Sequence, residues 1–378
     1  MLISENPIAI GPRGISNLIC LGCHSTISED NFERCPGCKW PMCSSTCCDD
    51  IKSFHQKEEC KVLSKDTKNI GVPTKLGETP RYDIILVLRC VLLYYTNYKS
   101  WKLLNSMESH WVKRKEQADP YHMATVRYLS EVCKMEVDVD VIHHVRGVII
   151  SNCYEVKNKD GVSLRGVYPL MGRLNHSCVP NVSMISDDQG KMSILASVNL
   201  ESDEQLFTTY VETTEPTWER INYTRTVHYF SCKCKRCDDP TEIGTYYSCP
   251  KCPHCSEMLE FRLLNNNEEI WICKNCNYNK SNEEEQLKYT KWLSCFENWN
   301  NSNVSYDEIE FILQKIKSEF HENHVLWVKA AQAALNVLVK DNSERSLHLR
   351  NHIWEVVTKL INVFEPGASR RRGKYKNI

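Results

Sequence analysis

The spacing of the cysteines constrains this chain more than any other feature. There are 21 in 378 residues, and most stand in close pairs. The first run reads Cys20-x2-Cys23, Cys35-x2-Cys38, Cys43-x3-Cys47 and His55-x4-Cys60. Two cysteines at x2 spacing let one tight turn aim two sulfurs at one ion. Eight donors within about 40 residues suffice for two tetrahedral zinc sites. Further along come Cys232-x-Cys234-x2-Cys237, and then Cys252-x2-Cys255 with Cys273-x2-Cys276. Two neighbours keep the ligand sets open: Cys48 adjoins Cys47, and Cys249 stands at x2 spacing from Cys252. Cys90, Cys133, Cys153 and Cys295 are isolated and read as buried packing.

Metal or disulfide is a question of compartment. Met1 to Ile10 lacks the basic start and long apolar run of a signal peptide. No stretch reaches the ~18 uninterrupted apolar residues of a membrane span. The nearest, Asp83 to Tyr95, is short and carries Arg89. The expectation is a soluble intracellular chain, in nucleus or cytoplasm, whose thiols stay reduced and hold metal. A net charge of −1 leaves no broad basic face and argues against a nucleic-acid partner. Only Arg370-Arg371-Arg372-Gly373-Lys374 is densely basic, and it reads as a solvated terminus.

The length allows two or three domains. Residues 16–61 hold little apolar material and would depend on zinc to fold. Residues 62–145 read mostly helical. Tyr82 to Leu93 is apolar nearly all round, as a buried helix is, and Asp119-Pro120 marks a turn or break. From 146 to 215 the texture is strand-like, with pieces at Val145–Ser151, Val182–Ile185, Lys191–Ser197 and Gln205–Tyr210. Asp187-Asp188-Gln189-Gly190 suits a hairpin turn between the middle two. Residues 216–240 hold a helix and then a cysteine cluster. After 281, Tyr306–Phe320, Val325–Val339 and Ser343–Phe364 have the periodicity of antiparallel helical hairpins.

In ligand type and order the first module resembles a MYND zinc finger. The resemblance implies interleaved ligation, with Cys20, Cys23, Cys43 and Cys47 on one zinc and Cys35, Cys38, His55 and Cys60 on the other. The gap His55-x4-Cys60 is one residue longer than the usual x3. Asn175-His176-Ser177-Cys178-Val179-Pro180-Asn181 resembles the signature of SET-domain methyltransferases, whose Asn-His pair sits beside S-adenosylmethionine. Glu204 to Tyr210 matches that family's strand ending in a tyrosine that faces the reacting lysine amine. Without that context, Tyr210 would read as a core residue. Trp218 to Cys237 follows the pattern of helix, aromatic pair Tyr229-Phe230, and then Cys232, Cys234 and Cys237. Three thiolates need a fourth donor, and the resemblance implies Cys178.

The order of these parts is similar to the SMYD family over nearly the whole chain. Cys20-Leu21-Gly22-Cys23, Trp40-Pro41-Met42-Cys43 and Asp239 to Tyr246 resemble its arthropod SmydA branch. That branch often carries one more pair of cysteine pairs, which Cys252, Cys255, Cys273 and Cys276 fit. The implied fold is α+β: short SET sheets with an inserted MYND finger, a post-SET zinc site and a helical, TPR-like C-terminal region. The implied map is a SET segment at 1–15, the finger at 16–61, a helical insert at 62–145, and the SET core at 146–215. The post-SET segment at 216–240, a further zinc unit at 241–280 and helices at 281–378 complete it.

The implied activity is S-adenosylmethionine-dependent protein-lysine N-methylation. Tyr210 would be catalytic, and Asn175, His176, Tyr229 and Phe230 would bind the cofactor. About four zinc ions would be structural, since four protein ligands leave no open position. The implied partners are a lysine-bearing protein or peptide, histone or not, and proline-rich peptides at the finger, without membrane or nucleic acid. The alternative is a catalytically weak scaffold that recruits peptides through the finger. In the family a Gly/Arg-rich turn precedes the segment that Leu2 to Pro12 resembles, and residues 374–378 also depart from the pattern. The expectation is therefore a shortened chain, with Gly11-Pro12-Arg13-Gly14 as a linker to the finger.

Overall fold

The computed structural model describes residues 1–14, 16–28, 32–44, 46–47, 53–72, 80–264, 268–299, 304–339, 341 and 343–367. Cys48 and the basic tail lie outside these residues. The fold is α+β and divides into two units: Met1–Leu174 with Met184–Leu195, and Asn175–Ser183 with Ala196–Ile378.

The first unit is built on helix α2, Ile85–Thr96, which follows a 3-10 turn at Tyr82–Ile84. Ile84 to Leu88, Cys90 and Val91 are all buried, so the apolar run is a core helix as its composition predicts. The strand expected at Val145–Ser151 is instead part of helix α6, Val139–Asn152. Its β-branched residues favour a strand locally. However, the Asp138 side chain caps the start by accepting from the Asp140 N–H. Ile142, Val145, Val148 and Ile149 then form one buried stripe. Gly147 lets this helix approach the Ser109 carbonyl, which a Cβ would meet at 2.4 Å. Between these helices run α3 (Tyr98–Asn105), α4 (Trp111–Glu116) and α5 (Pro120–Arg127). Asp119 caps α5 through the His122 N–H, with Pro120 in the first turn, so the expected break is a helix start.

Two small antiparallel sheets complete this unit. In one, Ser163–Val167 (β6) lies between Ala9–Pro12 (β2) and Cys153–Lys157 (β5). In the other, Met192–Ala196 (β9) lies between Ile3–Glu5 (β1) and Val182–Ser186 (β8). The turn between β8 and β9 is the predicted one. Asp187 Oδ1 accepts from the N–H groups of Gln189 and Lys191, and Gly190 takes φ +82°.

In the second unit Asn175–His176 (β7) pairs in parallel with Phe207–Thr208 (β10). The strand expected over Gln205–Tyr210 is only these two residues, because a side chain replaces the ladder beside them. Asn181 accepts from the Phe207 N–H at 2.7 Å and donates to the Gln205 carbonyl at 2.9 Å. Helix α7 spans Thr217–Val227, and Glu260–Leu263, Glu269–Ile272 and Asn279–Ser281 form a three-stranded antiparallel sheet. Helices α9 (Asn282–Ser294), α10 (Tyr306–Glu319), α11 (Val325–Leu338) and α12 (Glu344–Phe364) bury the unit's main core around Trp292, Leu313, Trp327, Ala331 and Leu360. Ser305 and Glu308 form a capping box at α10.

Candidate functional site

The cysteine clusters are built on one backbone device used four times. In the pairs Cys20/Cys23, Cys35/Cys38, Cys252/Cys255 and Cys273/Cys276 the residue after the second cysteine has positive φ: 61° at His24, 66° at Lys39, 65° at Ser256 and 58° at Asn277. Each of these four N–H groups donates to the carbonyl of the first cysteine, at 2.9–3.0 Å. The N–H of each first cysteine in turn donates to the carbonyl five residues on, at Ser25, Trp40, Glu257 and Tyr278. The turn is thus closed by backbone alone, and both sulfurs project from it toward one point.

Four groups of donors converge, with the ligand atoms of each group within 4.8 Å of one another. They are Cys20, Cys23, Cys43 and Cys47; Cys35, Cys38, His55 and Cys60; Cys178, Cys232, Cys234 and Cys237; and Cys252, Cys255, Cys273 and Cys276. Cys20 and Cys47 sulfurs lie 3.6 Å apart, Cys35 and Cys60 3.5 Å, Cys178 and Cys237 3.5 Å, and Cys252 and Cys276 3.5 Å. Thiolates on a tetrahedral zinc stand about 3.8 Å apart, so these groups fit that ion. Cys249 is not among them; its buried thiol donates to the Pro240 carbonyl instead.

Several residues that spacing alone did not single out shape these centres. A Cβ on Gly22 would stand 2.9 Å from the Cys47 sulfur, and one on Gly37 would stand 2.7 Å from that of Cys60. His55 Nδ1 lies 2.8 Å from Glu59 Oε1, which leaves Nε2 facing Cys38 at 3.4 Å. Glu59 is fully buried and also receives two hydrogen bonds from Arg89. Arg89 donates further to the carbonyls of Ile10 and Leu21. The one charge in the apolar helix α2 therefore ties His55, through Glu59, to strand β2. Burial alone would raise the Glu59 carboxyl, but Arg89 and His55 hold it below its ordinary value.

The Asn-His-Ser-Cys stretch brings Tyr210 and the third cysteine group together. The Tyr210 N–H donates to His176 Nδ1 at 3.0 Å. A neutral imidazole that accepts at Nδ1 carries its proton on Nε2, and Nε2 lies 3.3 Å from the Cys178 sulfur. Hydrogen bonds from Cys232, Cys234 and Cys237, and from His176, push the Cys178 thiol far down toward the thiolate a metal requires. The imidazole is thus committed within the protein, leaving the backbone of His176 and the exposed amide of Asn175 to meet a ligand.

Around Tyr210 the ring of His176 lies at 5.2 Å, His228 at 4.7 Å and Phe230 at 6.5 Å, edge-on. Burial raises the Tyr210 hydroxyl above its ordinary value, so it stays protonated at neutral pH. Tyr229 takes φ +60°, turning the chain between His228 and Phe230. His228 was not anticipated, because a lone histidine before an aromatic pair carries no spacing signal.

Behind the cysteines sits a buried ion cluster. Glu242 Oε2 accepts from Arg220 and from Arg236, each at 2.9 Å, and Arg220 reaches the Cys237 sulfur at 3.8 Å.

No protein-family model matches the chain. Among curated proteins it is 28% identical over 327 residues to the SET domain-containing protein SmydA-8, isoform B, of Drosophila melanogaster, covering 82% of this chain and 69% of that relative. The chain is similar to SET- and MYND-domain proteins of the SMYD family over most of its length. Other SMYD-type relatives are more distant. Identity is 23% over 304 residues to the histone-lysine N-methyltransferase ASHR1 of Arabidopsis thaliana, covering 75% of this chain and 60% of that one. It is 25% over 236 residues to the N-lysine methyltransferase SMYD2-B of Danio rerio, covering 61% and 52%. The chain therefore spans little more than half the length of some of these relatives. Among the described residues no helix is long and apolar enough to cross a membrane.

Proposed function

We propose that the chain is a protein-lysine N-methyltransferase that uses S-adenosylmethionine. The observation behind this reading is the convergence of Asn175, His176, Tyr210 and Phe230 on a frame held by Cys178, and relatives carry lysine methyltransferase names. Asn175 and the backbone of His176 would hold the polar groups of the cofactor, with Phe230 against its flat part. S-adenosylmethionine, when bound, supplies a methyl group on a sulfonium, activated for attack by an amine.

The chain's own contribution is desolvation and alignment. A lysine amine must be neutral to attack, and aromatic walls disfavour its ammonium form. Tyr210, kept as a phenol, would direct the amine lone pair through its oxygen. The faces of His228 and Phe230 would favour the cationic character of the methylated amine. The four cysteine groups would hold zinc as a structural ion.

A second reading is peptide recruitment through the finger. Phe54 is 41% exposed and stacks on His24 at 4.4 Å, beside a cavity of about 710 Å3 bounded also by Ile10, Lys157 and Gly190. An exposed aromatic shelf of this kind suits proline-rich peptides. Calorimetry with S-adenosylmethionine separates the two. Micromolar binding, with methylation of a protein lysine that Tyr210→Phe abolishes, supports the enzyme. No detectable heat supports the scaffold.

A further inference from the structure

Arginine dominates the wall of another cavity in the first unit. It measures about 520 Å3 and is lined by Arg13, Arg81, Arg146 and Arg165, with Asp83 the one acid among the described lining residues. These side chains come from four places: the end of β2, the turn before α2, helix α6 and strand β6. None belongs to the methyl-transfer site proposed above.

The acids nearby are already engaged. Asp83 Oδ2 accepts from Arg81 and from Thr125, each at 3.0 Å. Glu155 accepts from Arg13 at 2.7 Å. Among the described residues the guanidinium groups of Arg146 and Arg165 make no hydrogen bond and no ion pair. The Nε of Arg146 is buried without a partner. Burial pushes the Arg146 guanidinium below its ordinary value; Asp83 opposes that and Arg165 adds to it. Arg146 is half-buried, and a cation partly withdrawn from water without a hydrogen-bonded anion is costly; packing of the aliphatic stem would not require it to be left unpaired.

We propose that this cavity binds a phosphate monoester carried on a small organic body. Planar guanidinium forks match phosphate oxygens in pairs, and four arginines against one aspartate suit a dianion better than a carboxylate. The organic body has a place as well. Leu86 and Ile149 form an apolar side, and the ring of Tyr121, 79% exposed, is also part of the lining.

The test is calorimetry on the full, zinc-loaded chain with phenyl phosphate, adenosine monophosphate, inorganic phosphate and benzoate. Binding of either monoester at least tenfold tighter than benzoate, and tighter than inorganic phosphate, is expected. Whichever monoester binds tighter tells an aryl phosphate from a nucleotide. Arg165→Gln should weaken that binding at least tenfold. Arg146→Gln should do the same if circular dichroism shows it folded; otherwise Arg165→Gln alone decides. The proposal falls if neither monoester binds at millimolar concentration, if benzoate binds equally well, or if Arg165→Gln binds like the unaltered chain.

Discussion

His176 stands between Tyr210 and Cys178: its Nδ1 accepts the Tyr210 N–H at 3.0 Å, and its Nε2 lies 3.3 Å from the Cys178 sulfur. One imidazole thus links the position of the tyrosine to the state of a cysteine cluster. His176→Ala removes both bonds and should cost about 1–3 kcal/mol in the half-buried setting. If the proposed activity holds, S-adenosylmethionine binding and methyl transfer should both fall in this variant. A variant with full activity would break the link.

The four cysteine groups predict four zinc ions per chain, counted by native mass spectrometry or inductively coupled plasma mass spectrometry. Cys178→Ala should lower the count by one and leave the other three groups loaded. Two ions or fewer in the unaltered chain would undo the ligand assignment.

Gly22→Ala and Gly37→Ala place a methyl group within 3 Å of the Cys47 and Cys60 sulfurs respectively. Overpacking of this kind costs about 1–3 kcal/mol. Each should lose zinc to a chelator faster than the unaltered chain, with only the finger affected. Equal release rates would show that the knuckle can widen.

Glu59→Gln leaves Arg89 buried without its carboxylate and loosens His55. Outer partners of a metal histidine are typically worth 10–100-fold in metal affinity. The variant should therefore release one zinc at roughly 10-fold lower chelator concentration, and a thermal melt should show lost stability as well.

Burial alone would raise the Glu242 carboxyl, but Arg220 and Arg236 hold it down to about 2. A depressed carboxyl stabilises the fold fully above its ordinary value of 4.5, and that contribution is lost as pH falls through about 2. Glu242→Gln should cost about 3–5 kcal/mol at neutral pH, as removal of one partner of a buried pair does. Denaturant melts of both proteins should converge on acidification. A constant gap would mean the cost lies elsewhere.

Much of this was legible beforehand. The apolar run at Ile84–Val91, the Asp187–Gly190 turn and the C-terminal helices follow from periodicity and turn chemistry. At Val145–Ser151 β-branching speaks for a strand, whereas the Asp138 cap and a buried helical stripe prevail in context. The pairing of Glu59 with Arg89 is not legible in the sequence, because an acid beside a cysteine and a base in an apolar helix have ordinary solvent-facing readings; only burial together makes them partners. Asn181 stands out in the sequence as part of a motif, but its grip on Phe207 needs the two segments side by side.

The order of residues by itself determined that this chain carries cysteine knuckles, since an x2 pair in a turn is a local relation the backbone settles within a few bonds. It left open how the eight finger donors group, whether Cys249 replaces a member of the last group, and what completes the trio near Cys234. Only the tertiary structure brings the members of each group together, because donors far apart in sequence meet through space. Cys178 and Cys232 come within 4.0 Å although 54 positions separate them, and no local spacing encodes that approach.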